Sequence, residues 1–162
     1  MKIIGIDPGY DRVGIAVIED NKLLYSACLE TNSKDSFHVR LKEVGKGIEK
    51  VLTTYSPDAM AIESLFITKN QKTAMKVAEA RGVISYLAAV KDIPIYEYSP
   101  PQIKVAVTGH GGSDKTQIMK MIPLLIKIPS KKLADNTLDD EYDAIAVALT
   151  CAAHLKSSFP QK

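Results

Sequence analysis

The chain has 162 residues, and its net charge of +2 comes from 21 Lys and Arg against 19 Asp and Glu. Hydrophobic residues make up 46% and charged residues 25%, which excludes a chain that is disordered over most of its length. No apolar run approaches the roughly 20 residues of a membrane-spanning helix, and the opening residues lack the apolar core of a secretory signal. Cys28 and Cys151 form no disulfide or metal motif. We therefore expect a reduced, cytoplasmic protein that binds no membrane.

Three strands are predicted within the first 30 residues. The segments KIIGID, VGIAVIED and KLLYSACLE are apolar, and they are separated by turn residues at Pro8-Gly9 and Asp20-Asn21. A parallel crossover needs about a dozen residues or more, and these connections are much shorter. The pattern therefore predicts an antiparallel meander.

Helices and strands alternate through the middle of the chain. Apolar residues recur at helical spacing over 41–55, and a short buried strand then ends at Glu63. The spacing predicts a long helix over 69–90, and IPIYEYS is predicted as the fifth strand. The apolar stripe of the long helix is predicted to consist of Met75, Ala78, Val83, Tyr86 and Leu87.

Three helices are predicted in the last third. A short helix follows Pro100-Pro101, and a flexible loop or hinge, TGHGGS, separates it from a helix that begins near Asp114. Pro123 should kink or end that helix. The last helix is predicted from about residue 138 to His154. This order predicts an α/β fold, with a mixed five-stranded sheet and helices on its faces, in a single domain over 1–155 with a frayed tail over 156–162.

One segment of the chain is strongly basic. Residues 104–132 carry six lysines and one aspartate, a local net charge of +5, although the whole chain is almost neutral. This segment is either a solvated lysine-rich face or a surface that binds nucleic-acid phosphates. The lysines are Lys104, Lys115, Lys120, Lys127, Lys131 and Lys132.

Four carboxylates stand at predicted ends of strands and helices. Asp7 and Glu63 each follow an apolar strand, and Asp140 and Asp143, three residues apart, share one face of the last helix. Carboxylates at such points can hold hard divalent cations that promote phosphodiester hydrolysis. Structural interpretations also exist: Asp7 as a turn former, Glu63 as the partner of a lysine, and an aspartate at the start of the last helix as a cap or dipole partner, with Asp139 the better cap candidate. Spacing alone does not join the four into one site.

Four blocks of sequence resemble the RuvC-type Holliday junction resolvases, which belong to the RNase H-like nuclease superfamily. They are GIDPG (5–9), AIESLFITKNQKTAMKVAEARGV (61–83), EYSPPQIKVAVTGHGGSDKTQI (97–118) and DEYDAIAVALT (140–150). The resemblance extends from residue 3 to about 154 and implies an RNase H-like fold. It also implies an endonuclease that cleaves four-way DNA junctions in recombination and repair.

The resemblance implies roles for individual residues and for other molecules. It places four metal-binding acids at Asp7, Glu63, Asp140 and Asp143, with Mg²⁺ or its substitute Mn²⁺ bound as two ions. It makes Lys115 a catalytic and DNA-binding cation, Lys104 a DNA contact and Phe66 the aromatic that opens the junction centre. Lys69 and Lys72 follow Phe66 closely enough to hold the DNA backbone. The implied partners are a second copy of the chain and the RuvA and RuvB branch-migration proteins.

Several alternatives remain open at this stage. Phe66 either stacks on junction bases or packs in the core, since an aromatic residue after a strand is usually buried. Tyr142, Pro123 and the pair Tyr10-Asp11 depart from the family pattern and put the detailed geometry in question. The same fold also serves RNA-processing nucleases, and a junction-binding protein without catalysis is a further alternative.

Overall fold

The computed structural model describes residues 1–65, 71–129 and 139–158. Within them, five strands form one sheet in the order β3-β2-β1-β4-β5. The first three strands pair antiparallel, whereas β4 is parallel to both β1 and β5, so the predicted meander and mixed sheet are confirmed. The strands are β1 (Lys2–Asp7), β2 (Arg12–Glu19), β3 (Lys22–Glu30), β4 (Ala59–Glu63) and β5 (Ile95–Tyr98).

The described residues also form five helices. They are α1 (Phe37–Tyr55), α2 (Gln71–Val90), α3 (Pro100–Thr108), α4 (Lys115–Leu125) and α5 (Asp139–Ser158). Helix α4 contains Pro123 and ends two residues after it, in agreement with the predicted early end. Helix α5 continues through Ser158, so 156–158 are helical rather than frayed, and 159–162 lie outside the described residues.

The two faces of the sheet are packed with side chains of different size. On one face α5 lies against β1 and β2, and many of the core residues there are alanines, including Ala16, Ala61, Ala144 and Ala148. On the other face α1 and α2 pack through larger aliphatic residues, including Ile4, Ile6, Val44, Ile48 and Ile84. We call these the α5 face and the α1/α2 face. Helices on both faces agree with the predicted architecture.

The predicted apolar stripe of α2 is wrong in its main members. The structure buries Ala80, Ile84 and Ala88, whereas 66% of the surface of Met75 and 67% of that of Tyr86 is exposed. Ala80, Ile84 and Ala88 recur every four residues and so share one face of the helix, which is the buried face. The larger apolar residues therefore remain on its outer side.

No helix in the described ranges is long and apolar enough to cross a bilayer.

Candidate active site

A cleft of about 260 Å³ opens where β1 and β4 end. These strands are parallel neighbours, so their carboxyl ends reach the same edge of the sheet. The cleft brings together three acids and two lysines from five different elements. They are Asp7 of β1, Glu63 of β4, Lys104 of α3, Lys115 of α4 and Asp143 of α5.

Two glycines let α5 approach the sheet closely enough to deliver its acid. A Cβ atom on Gly5 would lie 2.2 Å from the carbonyl oxygen of Ala144, and one on Gly14 would lie 2.1 Å from that of Asp140. Strand alternation directs Gly5 and Asp7 to the same face of β1. The glycines thus bring the first turns of α5 beside Asp7.

Burial raises the pKa of each acid in the cleft. Burial, followed by the negative charges of Glu63 and Asp143, raises the pKa of Asp7 to about 8. Burial also raises the pKa of Glu63, although a hydrogen bond from Asp7 opposes the change. Burial raises the pKa of Asp143 despite the opposing effect of Lys115. The Asp7 carboxyl therefore keeps a proton near neutral pH and shares it with Glu63.

Helix capping fixes the position of Lys115. Asp114 is the N-cap of α4, its side chain accepts a hydrogen bond from the backbone N–H of Gln117, and the Gln117 side chain accepts one from the backbone N–H of Asp114. Lys115 is the next residue, and its Nζ lies 3.0 Å from Asp143 Oδ2 and 3.4 Å from Asp139 Oδ2. Burial lowers the pKa of Lys115, but the hydrogen bond and charge of Asp143 raise it by more.

The loop between α3 and α4 is closed by its own side chains. The hydroxyls of Thr108 and Ser113 are hydrogen-bonded at 2.6 Å, and Ser113 is buried. Gly109 has a φ of 76°, which suits glycine at the end of α3. The predicted flexible hinge is therefore a loop with internal hydrogen bonds, and it holds Lys104 and Lys115 on the same side of the cleft.

The fourth predicted acid faces a different neighbour. Asp140 is absent from the described residues that line the cleft, and its Oδ2 lies 2.9 Å from Arg12 Nη2. Cys28 Sγ contacts the same oxygen at 3.5 Å, and Arg12 Nε lies 3.4 Å from Glu30 Oε1. Sequence reasoning missed Arg12, although a cation in the hairpin that follows Asp7 was a usable signal.

The turn after Asp7 is held by a buried arginine. Arg40 of α1 forms an ion pair with Asp11 and donates hydrogen bonds to Thr31 Oγ1 at 2.9 Å and to the Tyr10 carbonyl at 3.2 Å. The Tyr10 ring also lies beneath Arg40 and Lys76. The pair Tyr10-Asp11, which departs from the family pattern, is thus accommodated. Arg40 pairs with the charge of Asp11, and Arg40 and Lys76 pack on the ring of Tyr10.

The comparisons with known proteins agree with this geometry. The family model for the crossover junction endodeoxyribonuclease RuvC matches residues 3–151. The chain belongs to the RuvC family. A RuvC from Thermosipho melanesiensis is 44% identical over 96% of this chain and 99% of its own, and one from Petrotoga mobilis is 40% identical over 98% and 97%. A structure of T. thermophilus RuvC with a Holliday junction substrate has a TM-score of 0.89 at 27% identity and covers 98% of this chain and 96% of that one.

Family membership shows that this chain is a crossover junction endodeoxyribonuclease, a hydrolase. It favours DNA cleavage over the RNA-processing and non-catalytic alternatives that the sequence left open. It also confirms the RNase H-like fold, because the structural match extends over nearly the whole chain.

RuvC-family nucleases are metal-dependent, and the cleft suits a divalent cation. Its donors are carboxylate oxygens whose pKa values are raised by burial first and by neighbouring carboxylates second, and a bound cation would stabilise their ionised forms. In the described ranges no three acidic, cysteine or histidine side chains form a ready-made metal cage. Arg12 and Lys115 engage two of the acids instead. The arrangement fits an ion such as Mg²⁺, which is held by one or two carboxylates together with water and substrate phosphate.

The remaining predicted site residues are not among the described residues that line the cleft. Lys72 is exposed in the first described turn of α2. Phe66 and Lys69 lie outside the described residues, as do Lys131 and Lys132 of the basic segment. Tyr142, the departure between the paired acids, packs partly buried against the core on the α5 face. Its bulk is therefore accommodated away from the cleft.

Proposed function

We propose that the chain cleaves four-way DNA junctions at this cleft with two Mg²⁺ ions, for which Mn²⁺ can substitute. The observation that carries the proposal is the meeting of Asp7, Glu63 and Asp143 in one cleft with Lys104 and Lys115. Asp140, about one turn before Asp143 in the same helix, is the fourth proposed ligand. The T. thermophilus relative, whose structure contains a Holliday junction, supports the choice of substrate.

The bound ions would neutralise the phosphodiester and activate water for its hydrolysis. The four acids would bind and orient those ions. Asp7 must give up its proton to become a ligand, since metals bind the ionised carboxylate. Lys115 already bonds to Asp143, so a metal at Asp143 would free its ammonium to contact the scissile phosphate. Lys104, in the same wall, would bind the adjacent backbone.

DNA outside the cleft would be held mainly by charge. Lys72 is exposed, and Lys76, one turn further along α2, lies over the rings of Tyr10 and Phe37. Lysines placed in this way contact phosphates without reading sequence. We assign Lys69 to the same surface and Phe66 to stacking on unpaired bases at the junction centre, a contact worth about 1–3 kcal/mol per base.

A homodimer would place two such clefts on one junction. A four-way junction has approximate two-fold symmetry, which a C2 dimer matches. Met75, Tyr86 and Val90 leave large apolar surfaces exposed on α2, and a groove between α1 and α2 includes Leu41, Val83 and Leu87. We assign this surface to the dimer interface. The Tyr86→Asp variant should sediment as a monomer at concentrations where the wild type is a dimer, and unchanged sedimentation would contradict the assignment.

The wider setting is assigned by resemblance. We place the chain in the cytoplasm beside the RuvA and RuvB branch-migration proteins and assign 1–155 to a single nuclease domain. The family match supports this setting.

The deciding experiment compares three nucleic acids of matched sequence. The protein is incubated with a synthetic four-way junction, a linear duplex and an RNA–DNA hybrid, with and without Mg²⁺. We expect the junction to be bound without metal and to be cut only when Mg²⁺ is added. Binding should weaken steeply as salt rises, because the lysines release counterions from the DNA. Equal affinity for junction and duplex at moderate salt, or faster cutting of the hybrid, would contradict the proposal.

A further inference from the structure

Two acids of α5, Asp140 and Asp143, are held by two cations from different parts of the chain. Lys115 is bonded to Asp143, and Arg12 is bonded to Asp140. Both acids belong to the metal site proposed above. A metal ion bound to either carboxylate would therefore compete with the cationic side chain that already contacts that carboxylate. The Arg12–Asp140 ion pair has no role in the function proposed above.

The hairpin that follows Asp7 places Arg12 beside Asp140. Arg12 is the first residue of β2 and stands opposite Glu30 of β3 in the register. Strand alternation directs Arg12 and Gly14 to the same face. The missing Cβ of Gly14 allows the backbone of Asp140 to lie directly above the strand. Arg12 therefore lies beneath the first turn of α5, where its guanidinium reaches the carboxylate.

Arg12 occupies one of the two carboxylate oxygens with which Asp140 could bind a metal. Its Nη2 and the thiol of Cys28 both contact Asp140 Oδ2, at 2.9 and 3.5 Å. A divalent cation at Oδ2 would replace these contacts, and one at Oδ1 would still repel the guanidinium. In either position the metal and Arg12 compete for Asp140.

A second partner allows the arginine to leave Asp140 without losing every ion pair. Arg12 Nε lies 3.4 Å from Glu30 Oε1, and 44% of the Arg12 side chain is exposed. Cross-strand pairs of opposite charge are favourable in antiparallel sheets. The guanidinium can thus turn towards Glu30 and solvent while the backbone of β2 stays in place.

We propose that Arg12 is a positioning residue that competes with the divalent cation for Asp140 and passes to Glu30 when the metal binds. This inference rests on the proposed function, because it takes Asp140 to be a metal ligand. In this role Arg12 weakens the affinity of the ion that Asp140 ligates, and Glu30 partly restores it.

The test measures Mn²⁺ binding by calorimetry on folded, chelator-treated protein without DNA. Arg12→Gln should bind the ion about two- to five-fold more tightly than the wild type, the range expected for loss of a partly exposed ion pair. Glu30→Gln should bind the ion more weakly. Of the two carboxylates that pair with Arg12, this variant removes Glu30 and leaves Asp140. Arg12→Lys, which keeps the charge, should remain near the wild type.

Two controls separate the possible outcomes. Lys46→Gln removes an equal charge from α1, so its effect measures the general electrostatic contribution. Asp7→Asn should lower Mn²⁺ affinity if binding occurs at the cleft. Tighter binding by Arg12→Gln than by Lys46→Gln, with weaker binding by Glu30→Gln, would support the inference. Unchanged or weaker binding by Arg12→Gln would overturn the inference about Arg12 but not the proposed metal site. Absence of binding by the wild type, or no effect of Asp7→Asn, would overturn both the metal site and the inference.

Discussion

The two faces of the sheet use apolar residues for different purposes. On the α5 face, Gly5 and Gly14 allow helix and strand backbones to touch, and the acids lie at the end of that contact. On the α1/α2 face, larger side chains such as Ile48 and Leu52 separate helix from sheet, and no residue of the described cleft comes from α1 or α2. The site therefore lies on the α5 face, where helix and strand backbones touch. The larger aliphatic side chains fill the α1/α2 face, where they separate the helices from the sheet.

The largest expected effects come from the acids on the α5 face. Asp7→Asn, Glu63→Gln and Asp143→Asn should each lower single-turnover cleavage of a junction by about 1000-fold or more, because each loses a carboxylate that we propose as a metal ligand, with little change in shape. Asp140→Asn should lose less, because Asp140 is not among the described residues that line the cleft and its Oδ2 is bonded to Arg12. Junction affinity in gel shifts should remain near the wild-type value for all four variants.

The matched control lies on the opposite face. Ile48→Val in α1 should cost about 0.5–1.5 kcal/mol of stability and leave cleavage unchanged at temperatures where the protein is folded. Full cleavage by Asp7→Asn, or a large loss of cleavage in folded Ile48→Val, would break the contrast between the faces.

A single methyl group at Gly14 should disturb both the fold and the site. Its Cβ would meet the carbonyl of Asp140, a backbone atom that can move only with the first turn of α5. We expect Gly14→Ala to lose about 1–3 kcal/mol of unfolding free energy, as overpacked sites do. Cleavage should fall by about ten-fold or more, because Asp140 and Asp143 move with the helix. Denaturant melts and cleavage rates check the two effects, and wild-type values for both would contradict the close contact.

The raised pKa of Asp7 predicts a dependence on pH for which Asp7→Asn is the control. Between about pH 4 and pH 8 the folded, chelated protein holds a proton on Asp7 that the unfolded chain has released, so stability should fall as pH rises. Melts of chelated protein should show this slope in the wild type and a smaller slope in Asp7→Asn. Mn²⁺ affinity should rise over the same interval, because the ionised carboxylate is the ligand. An affinity independent of pH would contradict the protonated state of Asp7.

The smallest expected effect is at Gly82 of α2. A Cβ atom there would meet nothing within 4 Å, unlike one at Gly14. Gly82→Ala should therefore stabilise the protein by about 0.5–1 kcal/mol through helix propensity. Thermal melts at one fixed protein concentration measure the change. Loss of stability would show that this glycine, too, is needed for a close contact.

Local patterns were sufficient for most of the element order. Short connections required an antiparallel meander, helical spacing found α1, and the proline in α4 predicted its early end. They failed for the apolar stripe of α2, because the sequence does not show which face of that helix its neighbours cover. Periodicity shows which residues share a face of the helix. The surface packed against the helix decides which face is buried, and here it is the face with Ile84 and not the one with Tyr86.

The sequence by itself determined the residue types of the site. Asp7, Glu63 and Asp143 stand at ends of elements that local spacing identifies, and strand alternation directs Asp7 to one face. Only the tertiary structure decided that the three acids meet in one cleft, that Asp140 is bonded to Arg12, and that Lys115 is bonded to Asp143. The reason is physical: these contacts join residues far apart in sequence, and their distances depend on how closely α5 packs over Gly5 and Gly14. Backbone contact of that kind follows from the packing of the whole sheet.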